Sequence, residues 1–115
     1  MPTRRLSAAA FSAAAFCSAG LMSHSVLAQD VTAGRKKAIA CQTCHGMDGI
    51  AKLPDAPHLA AQPAAYLERE LRAYRSGARR NEVMSIAAKA LSDDDIRDLA
   101  AYFAAIQIEV KAVPK

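Results

Sequence analysis

The sequence predicts an all-α fold whose helices pack around a single core. Apolar residues recur at helical spacing in two segments, residues 64–76 and 92–106. A third segment, residues 31–40, carries small residues on one face. The chain has no Val- and Ile-rich runs of the kind that form strands. Helices must therefore pack on one another to bury their apolar faces.

The first 28 residues are expected to form a secretory signal peptide. Arg4 and Arg5 provide a charged start, residues 6–20 a small apolar stretch, and Val26-Leu27-Ala28 a cleavage signal before Gln29. Polar residues interrupt the apolar stretch, whereas a bilayer span needs about 20 apolar residues in a row. We therefore expect cleavage after Ala28, export to the periplasm, no stable membrane anchor, and one domain over residues 29–115.

Removal of that segment changes the charge and the cysteine count. The whole chain has 15 basic and 11 acidic residues and a net charge of +4, which falls to +2 without Arg4 and Arg5. Cys17 leaves with the peptide, so Cys41 and Cys44 are the remaining cysteines. An unaided core in a domain of this size supplies only about 3–5 kcal/mol. A buried prosthetic group would supply the missing apolar interior.

The first helix is predicted from Val31 to Ala40. Asp30 and Thr32 are both suitable N-caps, because either side chain can accept a hydrogen bond from a free amide of the first turn. Gly34 and Ala38 form a small-residue face, which allows another helix to approach closely.

The run Cys41-Gln42-Thr43-Cys44-His45 is typical of the attachment site of a covalently bound c-type haem. Thiols three positions apart can reach the two vinyl groups on one edge of the porphyrin. The adjacent imidazole then lies under the iron. Cys41 and Cys44 are expected to form the thioethers, and His45 to bind iron through Nε2 with Nδ1 free to donate a hydrogen bond.

Three other interpretations of the cysteine pair are weaker. A thioredoxin-like redox site requires a βαβ context. A zinc site built from Cys41, Cys44, His45 and His58 would need the adjacent Cys44 and His45 to hold one tetrahedral ion. A disulfide between Cys41 and Cys44 would be strained and would leave His45 without a role.

Beyond the motif, glycines and prolines predict an irregular loop over residues 46–61 that wraps one edge of the cofactor. Pro63 suits the first turn of the next helix, which Gly77 ends.

The last strong helix begins at Ser92, with Asp95 placed for a capping box. Its apolar face contains Ile96, Leu99, Phe103 and Ile106. We expect this face to pack against the first helix.

The second axial ligand must be a His or Met elsewhere in the mature chain, and the candidates are Met47, His58 and Met84. Met47 is too close to His45 to cross to the opposite face of the macrocycle. His58 lies in the loop that covers the proximal edge, and it stays a weaker candidate. Met84 lies between two helices with ample reach, and its thioether suits iron that cycles between oxidation states. Packing in the core is its alternative role.

These residues resemble the class I c-type cytochromes, especially the short bacterial monohaem type, which is similar to one half of a dihaem cytochrome c. The resemblance is carried by Cys41 to Gly46, Asp48-Gly49, Pro57 to Gln62, Tyr66-Leu67, Gly77, Arg79, Met84, and the helix from Leu91-Ser92 to Tyr102-Phe103. It implies a small cytochrome c fold, three to five helices wrapped around one covalently bound haem c, with Met84 as the distal ligand.

The resemblance also implies two contacts. The carbonyl of Pro57 would accept the His45 Nδ1 hydrogen bond, and Gly34 would meet Tyr102 or Phe103 where the terminal helices touch. Ala61 is a departure, because many relatives carry Gly before the Gln.

The function that follows is outer-sphere electron transfer between respiratory redox partners, with no catalytic residue. With His45 and Met84 on the iron, no position is open for a substrate. The alternative is a haem c subunit or accessory domain of a dehydrogenase or oxidase complex. Basic residues in the middle of the chain could steer the protein to an acidic patch on its partner: Arg69, Arg72, Arg75, Arg79, Arg80 and Lys89. Nucleic-acid binding is not expected, because an aromatic-rich basic face is lacking.

Overall fold

The computed structural model describes residues 30–114, which form helices joined by irregular segments and no strand. The elements are α1 (Val31–Lys37), a 3₁₀ turn (Ala38–Cys41), α2 (Gln42–His45), α3 (Ala64–Ser76), α4 (Met84–Ala87) and α5 (Asp93–Ala105). The all-α prediction is therefore confirmed. The predicted signal peptide lies outside the described residues.

The start of α1 is capped by Asp30 rather than Thr32. The Asp30 carboxylate accepts hydrogen bonds from the backbone amides of Thr32 and Ala33, at 2.8 and 3.0 Å. The α-helix ends at Lys37, three residues before the predicted end, and the chain tightens into the 3₁₀ turn that leads to Cys41. Such tightening is common at helix ends because it satisfies the last carbonyl groups.

The closest helix contact joins α1 and α5. A Cβ on Gly34 would collide with the backbone of Asp98 and lie 2.8 Å from Cβ of Tyr102, so only glycine allows this approach. The contact expected between Gly34 and Tyr102 is therefore present. Lys37 adds ion pairs to Asp95 at 2.8 Å and to Asp98 at 2.7 Å.

The ends of α3 and α5 follow the sequence signals closely. Pro63 directly precedes α3 as its N-cap residue instead of lying in the first turn, and Gly77 ends the helix with a left-handed φ of 83°. At the start of α5, Ser92 and Asp95 form the expected capping box. Ile106 lies one residue beyond the end of α5. The central cluster of buried apolar side chains contains five residues from three helical segments, Ala38, Leu67, Leu99, Ala100 and Phe103.

The segment between α2 and α3 is irregular, as predicted, and it is tied to α5 near both ends. The hydroxyl of Tyr102 donates to the carbonyl of Met47 at 2.6 Å. The amide of Ala61 donates to the carbonyl of Phe103 at 3.0 Å. These two bonds hold the segment after the Cys-x-x-Cys-His motif beside the core.

Candidate functional site

A cavity of about 910 Å³ lies at the centre of the described fold, lined by residues from the 3₁₀ turn and from α2, α3, α4 and α5. All four residues predicted to hold the cofactor line it: Cys41, Cys44, His45 and Met84. They come from three separate elements, two before and one after the long loop. The fold therefore places the Cys-x-x-Cys-His motif and Met84 around the same cavity.

The 3₁₀ turn and α2 present the motif to this cavity. Cys41 and Cys44 are partly buried free thiols. His45 is buried, and its Nδ1 lies 3.0 Å from the carbonyl oxygen of Pro57. A carbonyl can only accept, so Nδ1 carries the proton and Nε2 keeps its lone pair for a metal. The contact expected between His45 and Pro57 is therefore present.

Burial raises the pKa of the Cys41 thiol, and the neighbouring Cys44 raises it further. The uncharged thiol is the form that an apolar surrounding favours. This wall of the cavity is therefore suited to neutral sulfur, as in a thiol or a thioether.

Met84 is held in place by Asn81, a residue that the sequence analysis did not single out. The Asn81 side-chain oxygen accepts hydrogen bonds from the amides of Val83 and Met84, at 3.0 and 2.9 Å. The backbone amide of Asn81 in turn donates to the hydroxyl of Ser85 at 3.1 Å. Asn is a favoured capping residue, so an Asn three residues before Met84 is the feature of the sequence that indicates this role.

Apolar side chains form most of the remaining walls. Leu67 and Leu71 of α3 face the cavity, together with Leu99 and Phe103 of α5. These residues also belong to the core or pack against it. A flat apolar cofactor placed here would become part of the core.

One wall of the cavity is polar, and Arg79 is its centre. Arg79 donates to Glu70 at 2.6 Å and stacks over the ring of Tyr74, with 4.8 Å from the guanidinium carbon to the ring centroid. The Arg79 guanidinium lowers the pKa of the Glu70 carboxyl. Tyr66, Glu70 and Tyr74 follow one another at four-residue spacing on α3, so one stripe of this helix forms the polar wall.

The weaker candidates for an iron ligand lie elsewhere. His58 is exposed, is not among the residues lining the cavity, and its Nδ1 accepts a hydrogen bond from the Ala51 amide at 2.8 Å. Met47 also lies outside this cavity and lines a separate surface groove. Within residues 30–114, no group of three or more His, Cys, Asp or Glu side chains is arranged to hold a metal ion, so the zinc interpretation is not supported.

The cavity fits a haem. Its volume lies within the range of about 300–1,000 Å³ that is common for cofactor sites. Two thiols and a ring nitrogen lie on one side, a thioether lies in another element, and leucine and aromatic side chains fill much of the rest. This donor set fits a covalently attached porphyrin whose iron takes nitrogen and sulfur ligands.

Comparisons with known proteins agree with this fit. A family model described as Cytochrome c matches residues 31–107. The chain is 44% identical over 79 residues to cytochrome c-554(548) of Halomonas halodenitrificans, which covers 66% of this chain and 95% of that protein. It is 42% identical over 67 residues to a thiosulfate dehydrogenase electron acceptor of Stutzerimonas stutzeri, which covers 56% of this chain and 31% of that protein.

A solved structure supports the same likeness. Reduced cytochrome c4 from Pseudomonas stutzeri superposes with a TM-score of 0.65 at 35% identity, covering 70% of this chain and 47% of that one. The chain thus spans nearly all of the Halomonas protein but less than half of the other two. No helix in the part of the chain that the structure describes is long and apolar enough to cross a bilayer.

Proposed function

Because this chain belongs to the cytochrome c family and is therefore an electron-transfer protein, we propose that it is a periplasmic carrier whose haem iron is held by His45 and Met84. The haem c is attached covalently through Cys41 and Cys44. When bound, it supplies an iron that alternates between the ferric and ferrous states and carries one electron. The residues around it determine where that electron is held and at what potential.

Each side chain at the site has a definite task. The two cysteines fix the cofactor, so it cannot dissociate between electron transfers. Pro57 keeps the proton on Nδ1 of His45, which leaves Nε2 as the iron ligand and fixes the orientation of the ring. Asn81 holds the start of α4, and with it the thioether of Met84.

The surroundings favour reduction. A Met ligand and an apolar pocket stabilise ferrous iron relative to ferric iron, which raises the potential. Arg79 lines the same cavity, where its charge is paired with Glu70 at 2.6 Å. Two protein ligands leave no coordination position for a substrate, so we propose that the protein is not an enzyme.

The observation that carries this proposal is that Met84 and His45 line the same cavity while Met47 and His58 do not. The test is the ferric visible spectrum of the Met84→Ala variant. The weak far-red absorption band of Met–haem coordination should disappear, and the reduced protein should bind carbon monoxide. Met47→Ala is the matched control and should keep the band. Persistence of the band in Met84→Ala would assign the ligand to another residue.

The proposed location in the periplasm rests on the pattern of residues 1–28. Sequencing the N-terminus of the protein purified from cells should give Gln29 as the first residue. A chain that still begins at Met1 in the mature protein would contradict it.

A second candidate function is that of a haem subunit within a dehydrogenase complex. The similarity to a thiosulfate dehydrogenase electron acceptor favours it. Size-exclusion chromatography of the native protein separates the two functions. A carrier elutes at the size of the single chain, and a subunit elutes with its enzyme.

A further inference from the structure

Ion pairs involve four of the six basic residues that the sequence suggested as a docking patch. Arg69 and Arg79 both pair with Glu70, Arg72 pairs with Glu68, and Arg75 pairs with Asp93. Four of the six predicted positive charges therefore have a carboxylate partner. Their role in steering stays a prediction, although an acidic partner would have to compete with these internal carboxylates.

Two cations on α1 have no such partner within residues 30–114. Arg35 and Lys36 are exposed and form no ion pair there, in contrast to the adjacent Lys37, which pairs with Asp95 and Asp98. Thr32 lies three and four residues before Arg35 and Lys36 on the same face of α1, and Ile39 follows in the 3₁₀ turn. The opposite face, with Gly34 and Ala38, is buried.

This outer face forms one side of a shallow groove of about 380 Å³. The groove is lined by Thr32, Arg35, Lys36, Ile39 and Met47. Ile39 is 57% exposed, a large fraction for an isoleucine. Met47 is partly buried and packs against the core, and Tyr102 holds its carbonyl at 2.6 Å. The groove thus combines an apolar floor and wall with two free positive charges.

The groove adjoins the haem attachment motif. Ile39 lies two residues before Cys41, and Met47 lies two residues after His45. A molecule bound in the groove would therefore contact both flanks of the Cys-x-x-Cys-His segment. Electron transfer benefits from such contact because the segment is bonded to the cofactor.

We propose that this groove, lined by Thr32, Arg35, Lys36, Ile39 and Met47, is a docking site for an acidic segment of a redox partner protein that carries an aliphatic side chain. The aliphatic group would pack against Ile39 and Met47, and flanking carboxylates would pair with Arg35 and Lys36. This inference rests on the proposed function as an electron carrier. Charge complementarity selects an acidic partner, since both cations are free.

The test uses the reduced, diamagnetic holoprotein labelled with ¹⁵N and a synthetic acetylated peptide that alternates Asp or Glu with Leu. Amide shifts should concentrate at the five groove residues. The double variant R35Q/K36Q should weaken peptide binding by about twofold or more, because two exposed charge pairs are lost. Ile39→Ser should weaken it severalfold.

Matched controls separate the groove from general charge and apolar exposure. R80Q/K89Q removes two cations that form no ion pair within the described chain, and Val110→Ser removes an apolar side chain that is 72% exposed. Both controls should leave peptide affinity unchanged. Equal losses in R80Q/K89Q, shifts centred outside the groove, or no shifts at all would overturn the proposal.

Two other occupants are also tested. Binding to vesicles that contain anionic phospholipid, lost in R35Q/K36Q and stronger than peptide binding, would assign the groove to a membrane surface. Concentration-dependent dimerisation lost in Ile39→Ser would assign it to a second copy of the chain. A wrong assignment of the iron ligands can be told apart from a wrong assignment of the groove. The first is detected in the far-red band of the ferric protein, and the second in the peptide titration.

Discussion

Ala61 is a residue in a conformation that its side chain disfavours. Its φ is 58°, in the left-handed region, and it is the only residue other than glycine with positive φ between residues 30 and 114. A Cβ in this region costs about 1–2 kcal/mol. The residue stays there because its amide donates to the carbonyl of Phe103 at 3.0 Å. The departure from glycine noted in the sequence therefore falls at a strained position.

Replacing Ala61 by Gly should stabilise the holoprotein. Relief of the left-handed strain exceeds the entropy that glycine loses on folding, so we expect the free energy of unfolding to rise by about 0.5–1 kcal/mol. Chemical denaturation followed by circular dichroism measures it. Ala60→Gly is the control and should destabilise, because Ala60 is buried and has no positive φ. A loss of stability in Ala61→Gly would contradict this account.

Asn81→Ala should loosen the Met84 ligand without removing it. The substitution deletes the oxygen that caps the amides of Val83 and Met84, at a cost of about 1 kcal/mol. On heating the ferric protein, the far-red band should vanish at a lower temperature than in the wild type. Asn81→Asp restores an accepting oxygen and should recover most of the difference. Identical transitions in wild type and Asn81→Ala would remove Asn81 from the positioning of Met84.

For single residues, the sequence predicts the side chains that bind the cofactor better than the side chains that hold them in position. Cys41, Cys44 and His45 form a contiguous motif whose spacing the porphyrin dictates. Asn81 acts through local backbone bonds around a single turn, and an isolated Asn has many other uses in turns. Its role became visible only with the geometry of α4.

Helix α5 is joined to α1 by a charged contact whose strength depends on pH. The pKa of Asp95 falls from 3.8 to about 2, first because Lys37 donates to its carboxylate and then because the Ser92 amide does. The folded pKa is below the unfolded one. The carboxylate therefore stabilises the fold fully above pH 3.8, and this contribution is lost as the pH falls towards 2.

Asp95→Asn should reduce the acid sensitivity of the holoprotein. The variant should melt at a lower temperature at pH 7, yet its melting temperature should fall less than that of the wild type between pH 3.8 and about 2. Thermal melts across this range measure it. Asp94→Asn is the control, because that side chain is 69% exposed and lies outside the contact between α1 and α5. Parallel pH profiles for wild type and Asp95→Asn would contradict the assignment.

The helices differ in how well their sequences predict them. α3 and α5 each have a periodic apolar face and clear end signals, and both appear nearly as expected. α2 and α4 have four residues each, too few for a periodic pattern. The early end of α1 has a similar cause, since the chain tightens into a 3₁₀ turn before Cys41. Such local geometry depends on packing that a single segment does not encode.

The stability of the whole molecule depends on filling its large cavity. The cavity measures about 910 Å³. Without a cofactor, water would enter this cavity and wet the leucine and phenylalanine side chains that line it. Each such side chain forgoes about 1.5–3 kcal/mol when it is left in water, so two of them match the stability expected from the core of so small a domain.

The haem-free protein should therefore be largely unfolded. We expect the double variant C41A/C44A, expressed without haem attachment, to lack a cooperative thermal transition and to show weak helical circular dichroism. The wild-type holoprotein is the control. A native-like spectrum and a cooperative melt from the haem-free chain would refute the dependence of the fold on its cofactor.

Tyr102 and Phe103 hold the two ends of the segment between Met47 and Ala61 on one helix. The segment is thus an arc with a fixed base, and its middle residues 52–55 are exposed. Lengthening a loop whose ends are already held together costs little, about 0.6 kcal/mol for each doubling. Insertions in residues 52–55 would therefore cost little chain entropy, yet they would change the site, because Leu53, Pro54 and Asp55 line the cavity. In evolutionary terms, this makes the arc a place where one wall of the haem pocket can be altered while the hydrogen bonds at its base stay in place.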